Sequence, residues 1–194
     1  MTDVDHSVSV GEASPDMMKV LAISGSLRAG SNTTAVLLGA ARLAAPAVEV
    51  DLYGGLSALP HFDPDLDAAR APAAVEALRR DVAAADAVLF CTPEYAHGVP
   101  GSLKNALDWL VGSGELYAKP VALLNAAPRA THAQASLAET LRTMGAQLLT
   151  DPCVIAASAG LLPDGSNVEE LAALRDALRG VLEALRGAAV RGGS

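Results

Sequence analysis

The sequence predicts an α/β fold built on a doubly wound parallel sheet, and three observations carry that prediction. Short apolar runs alternate with amphipathic helical stretches along the chain, which is the signature of successive βα units. The strand-like runs are apolar throughout, as burial on both faces of a parallel sheet requires. Apolar residues make up 51% of the 194 residues but aromatics only 3%, so helices and sheet must pack closely through small side chains. The length suits one core, giving a single domain over 18–190 behind a disordered tail, 1–17, that mixes Ser, Asp, Gly and Pro without period.

Val20-Leu21-Ala22-Ile23 reads as the first buried strand, broken at Gly25. From Ser31, the spacing of Val36, Leu37, Ala40 and Leu43 predicts a first helix, with polar caps before it and Pro46 behind. Val48 to Tyr53 alternates at period two and predicts a second strand at a sheet edge. Leu56 to Ala71, containing LPHFDPDLD, has no clean period and predicts a long loop of functional or interface character. Pro72 is expected at the first position of a helix carrying Val75, Leu78 and Val82.

The third strand is Asp86 to Phe90, followed directly by the loop TPEYAHGVPG and a helix from Gly101 to Val111. Pro120 to Asn125 is the fourth strand. Thr131 to Met144 is a helix stopped by Gly145, and Gln147 to Ile155 a fifth strand interrupted at Asp151-Pro152. Ser166 and Glu169 form a capping box for a last helix striped by Leu171, Leu174, Leu178, Val181 and Leu185. Five strands alternate with five helices, without internal repeat.

A net charge of −8 argues against nucleic acid and against an anionic membrane, both of which need a basic footprint. Asp3, Asp5, Glu12 and Asp16 supply half of it, leaving the body only mildly acidic. Cys91 and Cys153 sit in apolar runs without metal-ligand spacing, so buried free thiols and no metal are expected. The acidic N-terminus lacks signal-peptide character and no apolar run reaches 18 residues, so a cytoplasmic protein is expected.

The chemistry concentrates after the first strand, in GSLRAGSN. Backbone N–H groups at a helix start, the Ser26, Ser31, Asn32 and Thr33 side chains and the Arg28 guanidinium suffice to hold one phosphate. Gly25 and Gly30 match the outline of a nucleoside-triphosphate loop, but Ser31-Asn32 stands where Lys-Ser/Thr is needed. The dinucleotide fingerprint G-x-G-x-x-G is absent, and Asp51 falls on the polar face of an edge strand. Taken alone, the stretch serves equally well as a mere turn and helix cap.

GSLRAGSN, followed by PEYAHGVPGSLKNALDW, is similar to the NADPH-dependent FMN reductase family, with its azo, quinone and chromate reductases; LPHFDPDLD resembles that family's linker. The similarity spans roughly Lys19 to Ile155. It implies a flavodoxin-like three-layer α/β/α fold whose five-stranded parallel sheet has the order 2-1-3-4-5, with FMN at the switch point between strands one and three. By the same resemblance Ser26, Arg28, Ser31 and the Asn32/Thr33 pair would hold the FMN phosphate, and Pro93, Glu94, Tyr95, Ala96, His97 and Gly98 would frame the isoalloxazine. The implied activity takes hydride from NADPH or NADH and passes electrons to a small acceptor such as a flavin, quinone or azo compound. The flavin carries that chemistry, and no catalytic acid or base is demanded.

Three departures from the family pattern stand out. Asn32 follows Ser31 directly and Thr33 takes the place of the usual Asn, PEYA replaces PEYN, and Ala126 to His132 replaces a glycine-rich loop. Two other readings of the same fold remain: an electron carrier without NAD(P)H activity, and a flavin-free binding or regulatory protein. Glu94 is expected to bond neighbouring loop amides, and Trp109 and Tyr53 to pack. Lys104 and Asp108 are expected to form an i,i+4 pair. His97 and His132 read first as surface residues, and Arg129 as solvated. The linker loop and the helix after it read as a poorly self-sufficient monomer surface, and the resemblance implies a homodimer or homotetramer.

Overall fold

The computed structural model describes residues 17–44, 48–127, 129, 131–149, 153–154 and 168–192. The strands are β1 (Met18–Ser24), β2 (Val48–Leu52), β3 (Ala87–Cys91), β4 (Pro120–Asn125), β5 (Gln147–Leu148) and β6 (Cys153–Val154). All pair in parallel, in the order β2-β1-β3-β4-β5, and β6 pairs farther along β4, opposite Leu124 and Asn125. β5 and β6 together fill the place of the expected interrupted fifth strand, with Asp151 and Pro152 outside the described residues. The flavodoxin-like order 2-1-3-4-5 is therefore present, and β2 does lie at an edge.

The helices are α1 (Asn32–Leu43), α2 (Pro64–Ala69), α3 (Ala73–Ala84), α4 (Gly101–Val111), α5 (Thr131–Thr143) and α6 (Val168–Gly192). Side chains alternate along each central strand between two cores. Leu21, Ile23, Val88 and Phe90 join Leu78 of α3, Leu107 of α4 and Leu137 of α5. Val20, Ala22, Leu89 and Cys91 join Val36 of α1 and Leu178 and Leu185 of α6. Three layers result, and the apolar runs of β1, β3 and β4 follow because both faces are covered.

The expected boundaries hold to within a residue or two, with three corrections. Pro72 caps α3 instead of opening it, because its ψ of 150° is extended, not helical. The Leu56–Ala71 stretch is not all loop: a 3₁₀ turn at Leu56–Ala58 precedes α2, whose first turn is capped by Asp63 accepting from the Asp65 N–H. Met17, placed in the expected tail, is among the described residues, and β1 opens at Met18. The remainder of the expected tail, 1–16, and the Ser166 cap lie outside the described residues, as do the side chains of Leu171 and Leu174.

Gly145 stops α5 as expected. At a φ of 75° it donates to the Arg142 carbonyl while Ala146 donates to that of Leu141, the paired bonds of a Schellman end.

Candidate functional site

β1 and β3 are neighbours whose following helices depart toward opposite edges of the sheet, so a crevice opens past their carboxyl ends. Two loops meet there. Gly25 donates to the Cys91 carbonyl at 2.8 Å and binds the start of one loop to the start of the other.

The first loop is organised by a residue that motif reading passes over. The Ser24 hydroxyl, at the end of β1, lies 3.1 Å from the Thr33 hydroxyl and 2.9 Å from that of Thr34, and accepts from the Ser26 N–H. Ser31 adopts the extended geometry of an N-cap, accepts from the Thr34 N–H and bonds the Thr33 hydroxyl. Ser31 and Thr33 are thus buried and engaged with each other, while Asn32 and Arg28 are exposed. Among the described residues the N–H groups of Asn32 and Thr33, the first two of α1, have no partner, and neither do the Asn32 amide and the Arg28 guanidinium. Ser26 is half-buried and its hydroxyl accepts from the Arg28 N–H at 3.3 Å. This is a donor-rich lip at the positive end of a helix, suited to an anion.

The second loop, Thr92 to Pro100, opens with Thr92, which is buried and donates to the Pro93 carbonyl. Tyr95 and Gly98 then exchange two backbone hydrogen bonds, 3.1 and 3.0 Å, around a two-residue turn in which Ala96 and His97 both have positive φ, 49° and 58°. Tyr95, 59% exposed, presents a ring to solvent beside that turn. Pro93, Glu94 and Gly98 are half-buried.

Glu94 takes the bonding role expected of it, accepting from the Ala133 N–H in the first turn of α5 at 2.8 Å. His97 and His132, both read first as separate surface residues, are exposed but stacked on each other, with centroids 4.4 Å apart and planes 23° from parallel. The stretch replacing a glycine-rich loop is thereby joined to the crevice. Asn125, buried, accepts from the Ala127 N–H, and buried Gln134 donates to the Leu124 carbonyl. Arg129 is exposed in the same loop.

Beneath the crevice Cys91 is fully buried, and burial pushes its thiol up to about 12, against a smaller lowering by a backbone hydrogen bond from Ala126. Cys91 is thereby kept as the neutral thiol at ordinary pH. Two cavities of about 600 and 620 Å³ lie elsewhere, one beside edge strand β2 around Tyr53 and Asp81, the other between α4 and α5. Neither includes a residue of the two loops. Tyr53 lines the first cavity, its phenol raised by burial and then by the Asp81 charge. The Lys104–Asp108 pair and the packed Trp109 are as expected.

The family model described as NADPH-dependent FMN reductase matches residues 18–160. An NAD(P)H-dependent FMN reductase of Pseudomonas aeruginosa is 40% identical over 149 residues, covering 74% of this chain and 80% of that one. A quinone reductase of Escherichia coli is 38% identical over 96 residues, 49% of this chain and 51% of its own. Among solved structures, FerB, a flavoenzyme NAD(P)H:(acceptor) oxidoreductase of Paracoccus denitrificans, superposes with a TM-score of 0.78 at 27% identity, covering 88% of this chain and 98% of that one.

Proposed function

The chain belongs to the NADPH-dependent FMN reductase family, and from that premise we propose how its crevice holds FMN and serves an NAD(P)H-dependent oxidoreductase. The observation that carries the proposal is the pair of unpartnered N–H groups at the start of α1, set beside an exposed Asn32 amide and Arg28 guanidinium. These donors match a phosphate dianion, and the Pro93–Gly98 loop stands across the crevice to flank a planar ring.

Ser26, Arg28 and Asn32 bind the phosphate directly, and Ser31 and Thr33 shape the lip from behind. Tyr95 would pack against part of the ring, and backbone groups of the turn would meet its edge. FMN held there would supply the redox chemistry of two-electron transfer from NAD(P)H to a flavin, quinone or azo acceptor. Donor and acceptor would use the same face of the ring in turn, which gives ping-pong kinetics.

We further propose a cytoplasmic homodimer or homotetramer. Phe62, Leu66, Val111 and Tyr117 are large apolar side chains left 39–75% exposed, which supports association. Among the described residues no helix is long and apolar enough to cross a membrane.

Titration of the purified protein with FMN, followed by visible absorbance and by oxidation of NADH and NADPH with a quinone acceptor, tests the reading. Stoichiometric uptake with ping-pong kinetics, and uptake weakened by Arg28→Ala, are expected. Uptake without NAD(P)H oxidation would make the protein a carrier; no uptake at all would leave a flavin-free member of the fold.

A further inference from the structure

The Ala96–His97 turn is an unusual choice of residues for its shape. Two consecutive left-handed residues inside a two-residue hairpin favour Asn-Gly or Gly-Gly, because a Cβ in that conformation crowds its own carbonyl. Ala96 has a Cβ and no polar side chain to bond its own backbone, and His97 at 58° repeats the difficulty. Burial does not hold the turn either, since Tyr95, Ala96 and His97 are all exposed.

Among the described residues, the side-chain contacts that reach it come from one place. Glu94, just before the turn, is bonded to the Ala133 N–H, and His97, inside the turn, is stacked on His132. His132 and Ala133 are consecutive residues of the first turn of α5, a helix whose Ala133 and Leu137 are fully buried. The turn is therefore braced at both sides by a rigid element that begins 34 residues later.

We propose that the first turn of α5 is a clamp that holds the Ala96–His97 turn in its left-handed shape, with His132 as the positioning residue acting through the His97 ring. Where the Pro93–Gly98 loop flanks FMN, as proposed above, the clamp sets the shape of the surface the ring meets. The inference rests on that reading for its consequence but not for its existence, because the Glu94–Ala133 bond and the His97–His132 stack are contacts of the chain with itself.

The test measures hydrogen exchange of the Tyr95 and Gly98 amides in the FMN-free protein, alongside FMN affinity. His132→Ala should speed exchange at those two amides, and weaken FMN binding, by about threefold to tenfold, the factor an aromatic pair's usual contribution corresponds to. His132→Phe, which keeps a stacking face, should restore both to within about twofold of wild type. Ala96→Gly, which relieves the crowding, should shrink the effect of His132→Ala. Unchanged exchange in His132→Ala, or failure of His132→Phe to rescue, overturns the clamp. A rise shared equally by the β3 and β4 amides also overturns it, as general loosening. If wild type takes up no FMN the cofactor reading fails, while the exchange arm still decides the clamp.

Discussion

Gly25 lies against Thr92 with no space for a side chain between them: a Cβ at Gly25 would stand 2.9 Å from the Thr92 Cβ and 3.1 Å from Leu103 Cδ2, and closer still to the Thr92 hydroxyl. The ends of β1 and β3 are thus set side by side by the absence of one methyl group. Gly25→Ala must push the two loops apart or displace Thr92 from its bond to the Pro93 carbonyl. Overpacking of this kind costs about 1–3 kcal/mol. A thermal melt should show a fall of several degrees, about 2–4 °C per kcal/mol for a chain of this size, with FMN affinity reduced at least about tenfold. Gly30→Ala, where a Cβ meets nothing within 4 Å, should leave the melting temperature unchanged. Equal melts for the two variants would refute the argument.

The same contact shows what a sequence discloses and what it hides. β1, β3 and β4 are legible as apolar runs because two cores demand it, and β2 is legible as alternating because one side faces water. α2 is not, since none of its six residues is buried and it carries no stripe; its Asp63 cap and the Asp67 ion pair with Arg79 hold it. Motif residues Ser26, Arg28, Asn32, Tyr95 and His97 all come to one crevice. Ser24, Thr34 and Thr92 escaped notice because a hydroxyl at the end of an apolar strand or inside a helix carries no pattern of its own. The His97–His132 stack joins residues 35 positions apart, and no local spacing reports it.

Burial favours Asn32 over Thr33 as the proposed phosphate contact. Thr33 is 4% exposed and its hydroxyl is shared between Ser24 and Ser31, while the Asn32 amide is free. Thr33→Val should therefore cost about 1–2 kcal/mol of stability by orphaning buried hydroxyls, with FMN affinity close to wild type. Asn32→Ala should weaken FMN binding about threefold to tenfold, the worth of one hydrogen bond, with an unchanged melt. Fluorescence titration beside thermal melts separates them; the reverse pattern would assign the contact to Thr33.

Cys91 supplies a prediction at alkaline pH. Its thiol is held near 12 in the folded protein against an ordinary 9.0 when exposed. The unfolded chain therefore releases this proton first, so the stability linked to it is present in full below pH 9 and is lost as pH rises through about 12. Urea melts between pH 8 and 11 should show a steeper alkaline loss in wild type than in Cys91→Ala. Peptide mapping after iodoacetamide at pH 8 should find Cys91 unmodified until the protein is unfolded. Alkylation of Cys91 in the native protein would contradict its burial.

The segment LKNALDW belongs to the most specific motif in the chain, yet its polar side chains bond elsewhere, Lys104 to Asp108 and Asn105 and Trp109 to the Leu59–Ala69 segment. The Pro60 carbonyl accepts from Asn105 Nδ2 at 2.8 Å and from Trp109 Nε1 at 2.9 Å, and Asn105 Oδ1 accepts from the Phe62 N–H at 2.7 Å. The Phe62 ring meets Trp109 edge-on at 5.0 Å. Farther along, Arg79 donates to the Trp109 carbonyl and pairs with Asp67, so α2, α3 and the last turn of α4 share one guanidinium. These residues strap the Leu59–Ala69 segment onto α4 and do not touch the lip at α1. Asn105→Ala removes two of the bonds and leaves the Phe62 N–H unpaired, a loss of about 1–3 kcal/mol. Arg79→Met strands a helix-end carbonyl and a carboxylate and should cost about as much, whereas Arg79→Lys, lacking the fork that spans both, should recover only part. Both losses should be read as a lower melting temperature and faster proteolytic nicking between Asp63 and Arg70, with FMN affinity within about twofold of wild type, a free-energy change well under 1 kcal/mol. A fall in FMN affinity that outruns the fall in stability would mean that the strap also shapes the cofactor site, and that this half of the motif serves the flavin after all.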